Sequence, residues 1–316
     1  MVVRSPRALI LLSMSHLVAF PPNSGAAFDL KATWNNGTDP EEPPAQVHSL
    51  DEHSVVIRQS LRTSAEAPFV VLLFGNERAF LFDTGDEGDP SVWPLRRIVD
   101  ELVDSWLSSH PRAGYGLTVA HTHAHRDHTA GDSQFADRPL TTVVRTEVAD
   151  VKEFFGLDEW PNGSARVDLG GRRLVVLPSP GHHESSISVL DPYSGFLFSG
   201  DTVYPGRLYV PDMQAFLATL DRLAGLAESG DISHVLGCHI ELDRDGREYP
   251  LGAREHPEEA SPFMPADRLV AIRDAARAVA PSPGVHRFDD FVIYNGNRFR
   301  DQVSLLARSW RSRLRS

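Results

Sequence analysis

Three histidines and an aspartate stand within six residues of one another at His123, His125, Asp127 and His128. They follow the short apolar run of residues 117–120, where a buried strand would end. Burying that many imidazole nitrogens and a carboxylate unpaired is costly, and a divalent metal is the simplest partner for all of them. Alternate residues of an extended segment point the same way, so His123 and His125 can grip one ion together. Asp127 and His128 come after the chain has turned and can face a second ion. His121 shares the two-residue spacing, but only the frame starting at His123 places Asp127 and His128 correctly. His121 is therefore read as a support for the loop.

Two ions need more donors than one loop can carry. Three later loops offer them, each after an apolar, strand-like run. Residues 174–177 lead to Pro180-Gly181-His182, residues 196–199 lead through Gly200 to Asp201, and residues 235–238 lead to His239. An earlier apolar run, Phe80-Leu81-Phe82, ends at Asp83. The order H-x-H-x-D-H, P-G-H, G-D and a late G-x-H resembles the metallo-β-lactamase-fold hydrolase superfamily, over about residues 54–240. The dinuclear members, glyoxalase II and the acyl-homoserine lactonases, are the ones it resembles. That resemblance implies an α/β fold, a four-layer αββα sandwich with the metals at one edge. It implies that His123, His125 and His182 hold the first ion, that Asp127, His128 and His239 hold the second, and that Asp201 bridges them. Asp83 would brace the first loop from behind.

Two bridged ions lower the pKa of a shared water, so a bridging hydroxide is available near neutral pH. Asp127 would orient it. Zinc is the expected ion, with Mn2+ and Fe2+ accepted by the same donors. Tyr204 stands three residues after Asp201, a placement similar to that in the lactonases, where it implies a phenol beside the carbonyl oxygen. The leading expectation is hydrolysis of a small ester or lactone, with Asp127 and Tyr204 as catalytic residues. The alternatives are a thioester, β-lactam or phosphodiester hydrolase of the same fold, a mononuclear iron enzyme of the sulfur-dioxygenase kind, or a metal-binding protein without turnover. His183, Arg207 and Tyr249 are the candidate substrate contacts, Tyr249 because residues 241–265 leave the site directly from His239. Cys238 is read as a small buried hydrophobe.

The chain has 316 residues, 41% of them hydrophobic, and a formal charge of −12. An acidic chain with no basic, aromatic-interleaved cluster before its last turn repels phosphate backbones, so nucleic acid is excluded as a partner and a small molecule is expected. The arginines at 308, 311, 313 and 315 read as a solvated face of a last helix. A single cysteine rules out an intrachain disulfide. Residues 1–27 read as an export leader: Arg4 and Arg7, an apolar stretch over 8–20, then the small residues 24–27. The expected location is periplasmic or secreted, or cytoplasmic if the segment is only an extension. No membrane span is expected in the mature chain, and the sequence leaves its oligomeric state open.

The elements that must position these residues follow from periodicity. Residues 28–50 read as an irregular lead-in, and 51–316 as a single domain with a carboxy-terminal extension from about 241. Strands are expected over 55–57, 69–74, 79–82, 117–120, 141–144, 173–177, 186–190, 196–199 and 288–294. Helices are expected over 93–106, 148–155, 213–226 and 265–279, with a last one from 298. Met213, Phe216, Leu217, Leu220, Leu223 and Ala224 form one buried stripe.

Overall fold

The computed structural model describes residues 17–23 and 27–296; the leader's first residues and the last expected helix lie outside these. Side chains that alternate between two buried faces create the layers. The first sheet runs in the order β1 (Ala45–Asp51), β2 (Ser54–Gln59), β3 (Phe69–Phe74), β4 (Arg78–Phe82), β5 (Gly116–Ala120) and β6 (Thr141–Val143). It is antiparallel as far as β4 and parallel from β4 to β6. The parallel step needs a crossover, which α1 (Leu95–Ser109) supplies. After β5 come α2 (Arg126–Thr129) and, beyond β6, α3 (Val148–Phe155).

The second half of the chain repeats the plan. β7 (Ala165–Asp168), β8 (Arg173–Pro178), β9 (Ile187–Asp191) and β10 (Phe196–Gly200) form an antiparallel run. β11 (Arg207–Val210) and α4 (Met213–Glu228) then lead to β12 (His234–Gly237), which joins β10 in parallel, and β13 (Phe263–Pro265) closes that edge. α5 (Asp267–Val279), β14 (Gly284–Arg287) and β15 (Val292–Asn295) follow, and β11, β15 and β14 make a small third sheet.

β3 shows how the layers bind. Phe69, Val71 and Leu73 pack inward against Leu174, Val176, Val189 and Phe198 of the second sheet. Val70, Leu72 and Phe74 pack outward against Leu95, Val99, Val103 and Trp106 of α1. On the far side Leu190, Leu197 and Val235 meet Phe216, Leu220 and Leu223 of α4, with Leu269 and Ile272 of α5 beside them. The result is the expected order of helix, sheet, sheet, helix.

Several boundaries differ from expectation for local reasons. β1 begins inside the lead-in read as irregular, because its alternation is partly polar and Val47 is exposed. The lead-in before it is also fixed: Trp34 is buried, with its ring 4.8 Å from that of Phe69. α1 starts two residues after Trp93, whose indole N–H donates to the Thr84 carbonyl at 2.9 Å. β7, β11, β13 and β14 were not anticipated; each has only three or four residues, too few for a periodicity to register.

Residues 17–23, inside the stretch read as leader, pack on this body. Val18 exchanges two hydrogen bonds of 2.9 Å with the Asn76 side chain, and Asn23 N–H donates to the Pro192 carbonyl at 2.7 Å. Phe20 lies edge-on to Tyr193 and 5.5 Å from the guanidinium of Arg172. Arg172 and Asp191 form a fully buried ion pair, 2.7 Å apart, and the arginine also donates to the His53 and Phe74 carbonyls. Phe20 thus covers a charge that gains from staying dry and paired. Deleting residues 1–23 is expected to lower stability by roughly 2–4 kcal/mol relative to deleting 1–16. Thermal melts of the two truncations would test this, and equal midpoints would contradict it.

Candidate metal centre

The parallel strands end together, and the donors ride on the loops that leave them. β4 ends at Asp83, β5 at the loop carrying His121 to His128, β10 at Asp201, and β12 just before His239. The loop after β8 presents His182. Gly200 lets two of these loops meet: its φ is +56°, and a Cβ there would stand 2.5 Å from the Thr122 side chain. α4 fixes the His182 loop, with Thr219 Oγ1 donating to the Pro180 carbonyl and Arg222 to that of Pro178, both at 2.8 Å.

His123, His125, His182 and Asp201 bring their ligand atoms within 4.8 Å of one another, and so do Asp127, His128, Asp201 and His239. Asp201 belongs to both groups. Its Oδ2 lies 3.5 Å from His182 Nε2 and 3.9 Å from His123 Nε2. Its Oδ1 lies 3.2 Å from His239 Nε2 and 3.5 Å from His128 Nε2. In the first group His125 Nδ1 is 2.8 Å from His123 Nε2 and 3.1 Å from His182 Nε2. In the second, Asp127 Oδ2 is 3.2 Å from His128 Nε2 and 3.4 Å from His239 Nε2. Zinc bonds of roughly 2.0–2.1 Å in a tetrahedron put neighbouring donors about 3.3 Å apart. The spacings here bracket that figure.

The outward ring nitrogens of His123, His128, His182 and His239 are engaged, which settles which nitrogen of each faces the centre. His182 Nδ1 donates to the Tyr209 carbonyl at 2.9 Å and His239 Nδ1 to the Glu66 carbonyl at 2.8 Å. His128 Nδ1 donates to Asp83 Oδ2 at 2.9 Å, and His123 Nδ1 to Thr122 Oγ1 at 3.0 Å. Each such bond leaves the other nitrogen as a lone-pair donor. His128 Nε2 and Asp201 Oδ1 are buried with no hydrogen-bond partner. Buried atoms of this kind, in a His/Asp set, fit a divalent cation.

Charge divides the two groups. Burial lowers the pKa of His123, His125 and His182, keeping these rings neutral as metal ligands must be. Burial opposes charge on His128 and His239 as well, but it is outweighed: Asp83, Asp201 and Asp127 raise the first, and Asp201 and Asp127 raise the second. Burial also works against the Asp127 and Asp201 carboxylates, yet His128 and His239 hold both below the ordinary range. The carboxylates of the second group thus favour positive charge at its centre, either a proton on His128 and His239 or a metal ion in its place.

Asp83 is the brace behind both groups. It adopts a left-handed backbone, φ 72°, uncommon for an aspartate outside a turn. Its carboxylate accepts from the Thr122 N–H at 2.7 Å, Thr122 Oγ1 at 3.0 Å, His128 Nδ1 and the Cys238 thiol. Cys238 therefore turns toward Asp83 and joins its polar cluster, although read as a hydrophobe. Asp83→Ala is expected to weaken metal binding about 10–100-fold, measured by competition with a chelator; unchanged affinity would deny it the bracing role.

The remaining candidates divide. His121 Nε2 donates to Asp132 Oδ1 at 2.7 Å, and Thr84 Oγ1 donates to the same oxygen at 2.8 Å, which ties His121 to residues beside the metal loop. His183 stands at the rim, its ring 5.0 Å from that of His125. Tyr204 is buried beside His239, but its hydroxyl donates to the Arg207 carbonyl, which takes away the expected donor to a substrate oxygen. Arg207 is buried and paired with Glu241 and Glu248, each at 2.8 Å. Tyr249 stacks on His256 and donates to the Pro257 carbonyl at 2.6 Å. Residues 241–259 are tied to the lead-in side of the fold through Arg58 and Glu259, 2.6 Å apart, and Arg254, whose guanidinium donates to the Leu61 carbonyl. Sequence reading missed Thr122, Asp132 and the Glu66 carbonyl. Thr122 and Asp132 lie in or beside the first motif, but Glu66 is 173 residues from its partner and leaves no local signal.

A third grouping, Glu52, His53 and His110, lies at the opposite end of β3. There His53 Nδ1 already accepts the Trp106 indole N–H at 3.1 Å, so its lone pair is taken.

Two stacked mixed sheets, outer helices and a His/Asp cluster at the strand ends define a metal-site α/β sandwich. A family model for the metallo-beta-lactamase superfamily matches residues 117–229. The chain is 33% identical to acyl-coenzyme A thioesterase MBLAC2 of Gallus gallus over 232 residues, covering 62% of this chain and 81% of that one. It is 28% identical to a hydroxyacylglutathione hydrolase of Synechococcus sp. (strain JA-3-3Ab) over 170 residues, covering 52% of this chain and 65% of the relative, which is less than two thirds of that protein. The metallo-beta-lactamase FIM-1 from Pseudomonas aeruginosa, in its mono-zinc form, superposes with a TM-score of 0.52 at 15% identity over 77% of this chain and 99% of that one, a likeness of fold. The chain belongs to the metallo-beta-lactamase superfamily.

Proposed function

We propose that the protein is a dinuclear metal-dependent hydrolase acting on an acyl carbonyl, with thioesters as the first substrate class and simple esters second. The observation that carries this is Asp201, whose two oxygens face different donor groups. The completeness of the second group favours two ions over the mononuclear iron alternative. Two relatives named for thioester hydrolysis favour the thioester. The lactone reading leaned on Tyr204, and with its hydroxyl given to Arg207 that support is withdrawn.

His123, His125 and His182 would hold one divalent ion, Asp127, His128 and His239 the other, with Asp201 shared and zinc the first choice. Such ions, when bound, supply an activated water near neutral pH and polarise the substrate carbonyl. Asp127 accepts the hydrogen bond of the attacking water and so orients it. Asp83 and Thr122 keep the first loop in register, and the carbonyls of Tyr209 and Glu66 keep His182 and His239 turned inward. Asp127→Ala is expected to abolish hydrolysis while the far-ultraviolet dichroism stays that of the parent chain; retained turnover would remove Asp127 from the reaction.

The test is a panel of thioester, ester, lactone, β-lactam and phosphodiester substrates. Turnover of the thioester above the rest is expected. A phosphodiester hydrolysed fastest, or oxygen consumed with a persulfide, would overturn the proposal. A small molecule is the expected partner, and no helix among the described residues is long and apolar enough to cross a membrane. Export is proposed on the leader-like residues 1–27, of which Phe20 packs beside the Arg172–Asp191 pair.

A further inference from the structure

Carboxylates without a cation partner stand on both sides of the metal centre. Glu66 is on the side of the second donor group, where its carbonyl holds His239. Burial raises the pKa of its carboxyl, His239 lowers it, and Asp127, Glu241 and Asp201 raise it again, so the carboxylate stands among the acids of that group. Glu184 and Glu147 are on the side of the first. Glu184 follows His183, whose ring lies 5.0 Å from that of His125. Glu147 precedes α3, just past the end of β6, which runs parallel to the strand that carries the metal loop. Burial and His182 lower the pKa of His183, and these two glutamates raise it. All three glutamates are exposed, and none has an ion-pair partner among the described residues. The arginines of the neighbouring loops are already matched, Arg126 by Asp86 at 2.5 Å and Arg145 by Asp150 at 3.6 Å. Glu241 is matched by Arg207.

We propose that Glu66, Glu147 and Glu184 make the centre selective for thioesters of neutral or cationic thiols and turn away those of anionic thiols. The proposal rests on the thioester-hydrolase reading of the centre. The place where a ligand binds is marked independently of the glutamates, by the buried and unpartnered His128 Nε2 and Asp201 Oδ1. Bound ions would put positive charge there, which Asp127 and Asp201 partly offset, and the substrate carbonyl would meet that charge. The rest of the thiol extends outward and meets the glutamates. Carboxylates that no cation neutralises act on it through space, and such fields change association rates by about 10–10³-fold. Salt screens them over about 8–10 Å, so the selection has an ionic-strength signature that shape alone does not produce.

The test uses the full metal-loaded chain at about pH 8, where carboxylates are ionised. The substrates are butanoyl thioesters of three small thiols that differ in charge: cationic thiocholine, neutral N-acetylcysteamine and anionic 2-mercaptoethanesulfonate. Dividing each kcat/KM by the rate of hydrolysis of the same thioester by hydroxide removes differences in intrinsic reactivity. At low salt the cationic-to-anionic ratio is expected to be about tenfold or more. Raising sodium chloride from about 20 to about 300 mM should bring it toward one. The triple variant Glu66→Gln, Glu147→Gln, Glu184→Gln is expected to lose both the ratio and its salt dependence. Should it fail to fold, Glu184→Lys alone reverses one charge and is expected to lower the ratio. A ratio of one or less in the parent chain, or one unchanged in these variants, would overturn the selection while leaving the hydrolase reading intact. No cleavage of any thioester would count against the hydrolase reading, and metal removal then decides the charge effect alone. The anion dipicolinate should strip the centre faster as salt rises, relative to neutral 1,10-phenanthroline; a relative rate that stays level or falls overturns the proposal.

Discussion

Replacing Asp201 with alanine is expected to abolish turnover and to leave at most one ion per chain. The carboxylate is the only side chain common to both donor groups, 3.2 Å from His239 on one oxygen and 3.5 Å from His182 on the other. Its removal withdraws a donor from each group and takes away one of the carboxylates that offset charge on both His128 and His239. Losing an outer partner of a ligand typically costs 10–100-fold, and losing a shared ligand should exceed that well. The backbone at this position is held independently of the carboxylate, by Gly200 against Thr122 and by the β10–β12 pairing. The variant should therefore fold. Metal content and turnover on one preparation give the result; a variant that keeps two ions would dismiss the shared-ligand role.

Stripping the metal is the second large effect, and it depends on pH. Each ion held at a thousand times its Kd stabilises the folded chain by about 4 kcal/mol. At roughly 2–4 °C per kcal/mol for a large domain, removing two should lower the melting midpoint by about 16–32 °C. His128 and His239 must be unprotonated to ligate, yet their carboxylate neighbours raise both pKa values above the ordinary histidine range. Protons and metal therefore compete: affinity and the metal's stabilisation rise with pH and are lost as pH falls through neutrality. Melts with and without chelator across pH 6–9 would show the gap between the two curves widening as pH rises. A gap independent of pH would mean that these two histidines do not exchange protons for metal.

The metal loop, the three later donors and the main helices were legible because each carries local information: residue type, spacing, or a buried stripe such as that of α4. α3 is observed over the expected residues, Val148–Phe155. Side-chain direction was not legible. Tyr204, Arg207 and Tyr249 were read as facing a substrate, but Glu241 and Glu248 hold Arg207 in a buried cluster and its carbonyl accepts the Tyr204 hydroxyl, while Tyr249 goes to His256 and Pro257. That outcome depends on groups up to 42 residues away and on what covers them. Cys238 was misjudged for the same reason, since its partner Asp83 lies 155 residues earlier. The leader reading saw composition correctly but could not see that Phe20 has a binding place on Arg172 and Tyr193.

A two-ion centre that hydrolyses an acyl carbonyl is the proposed function. It is tested most directly by elemental analysis and thioester turnover on the same purified sample, before chelation, after it, and after zinc is restored. The predicted result is two divalent ions per chain, with turnover lost on stripping and regained only as the second ion returns. One iron per chain, with oxygen consumed and no thioester cleaved, would contradict it.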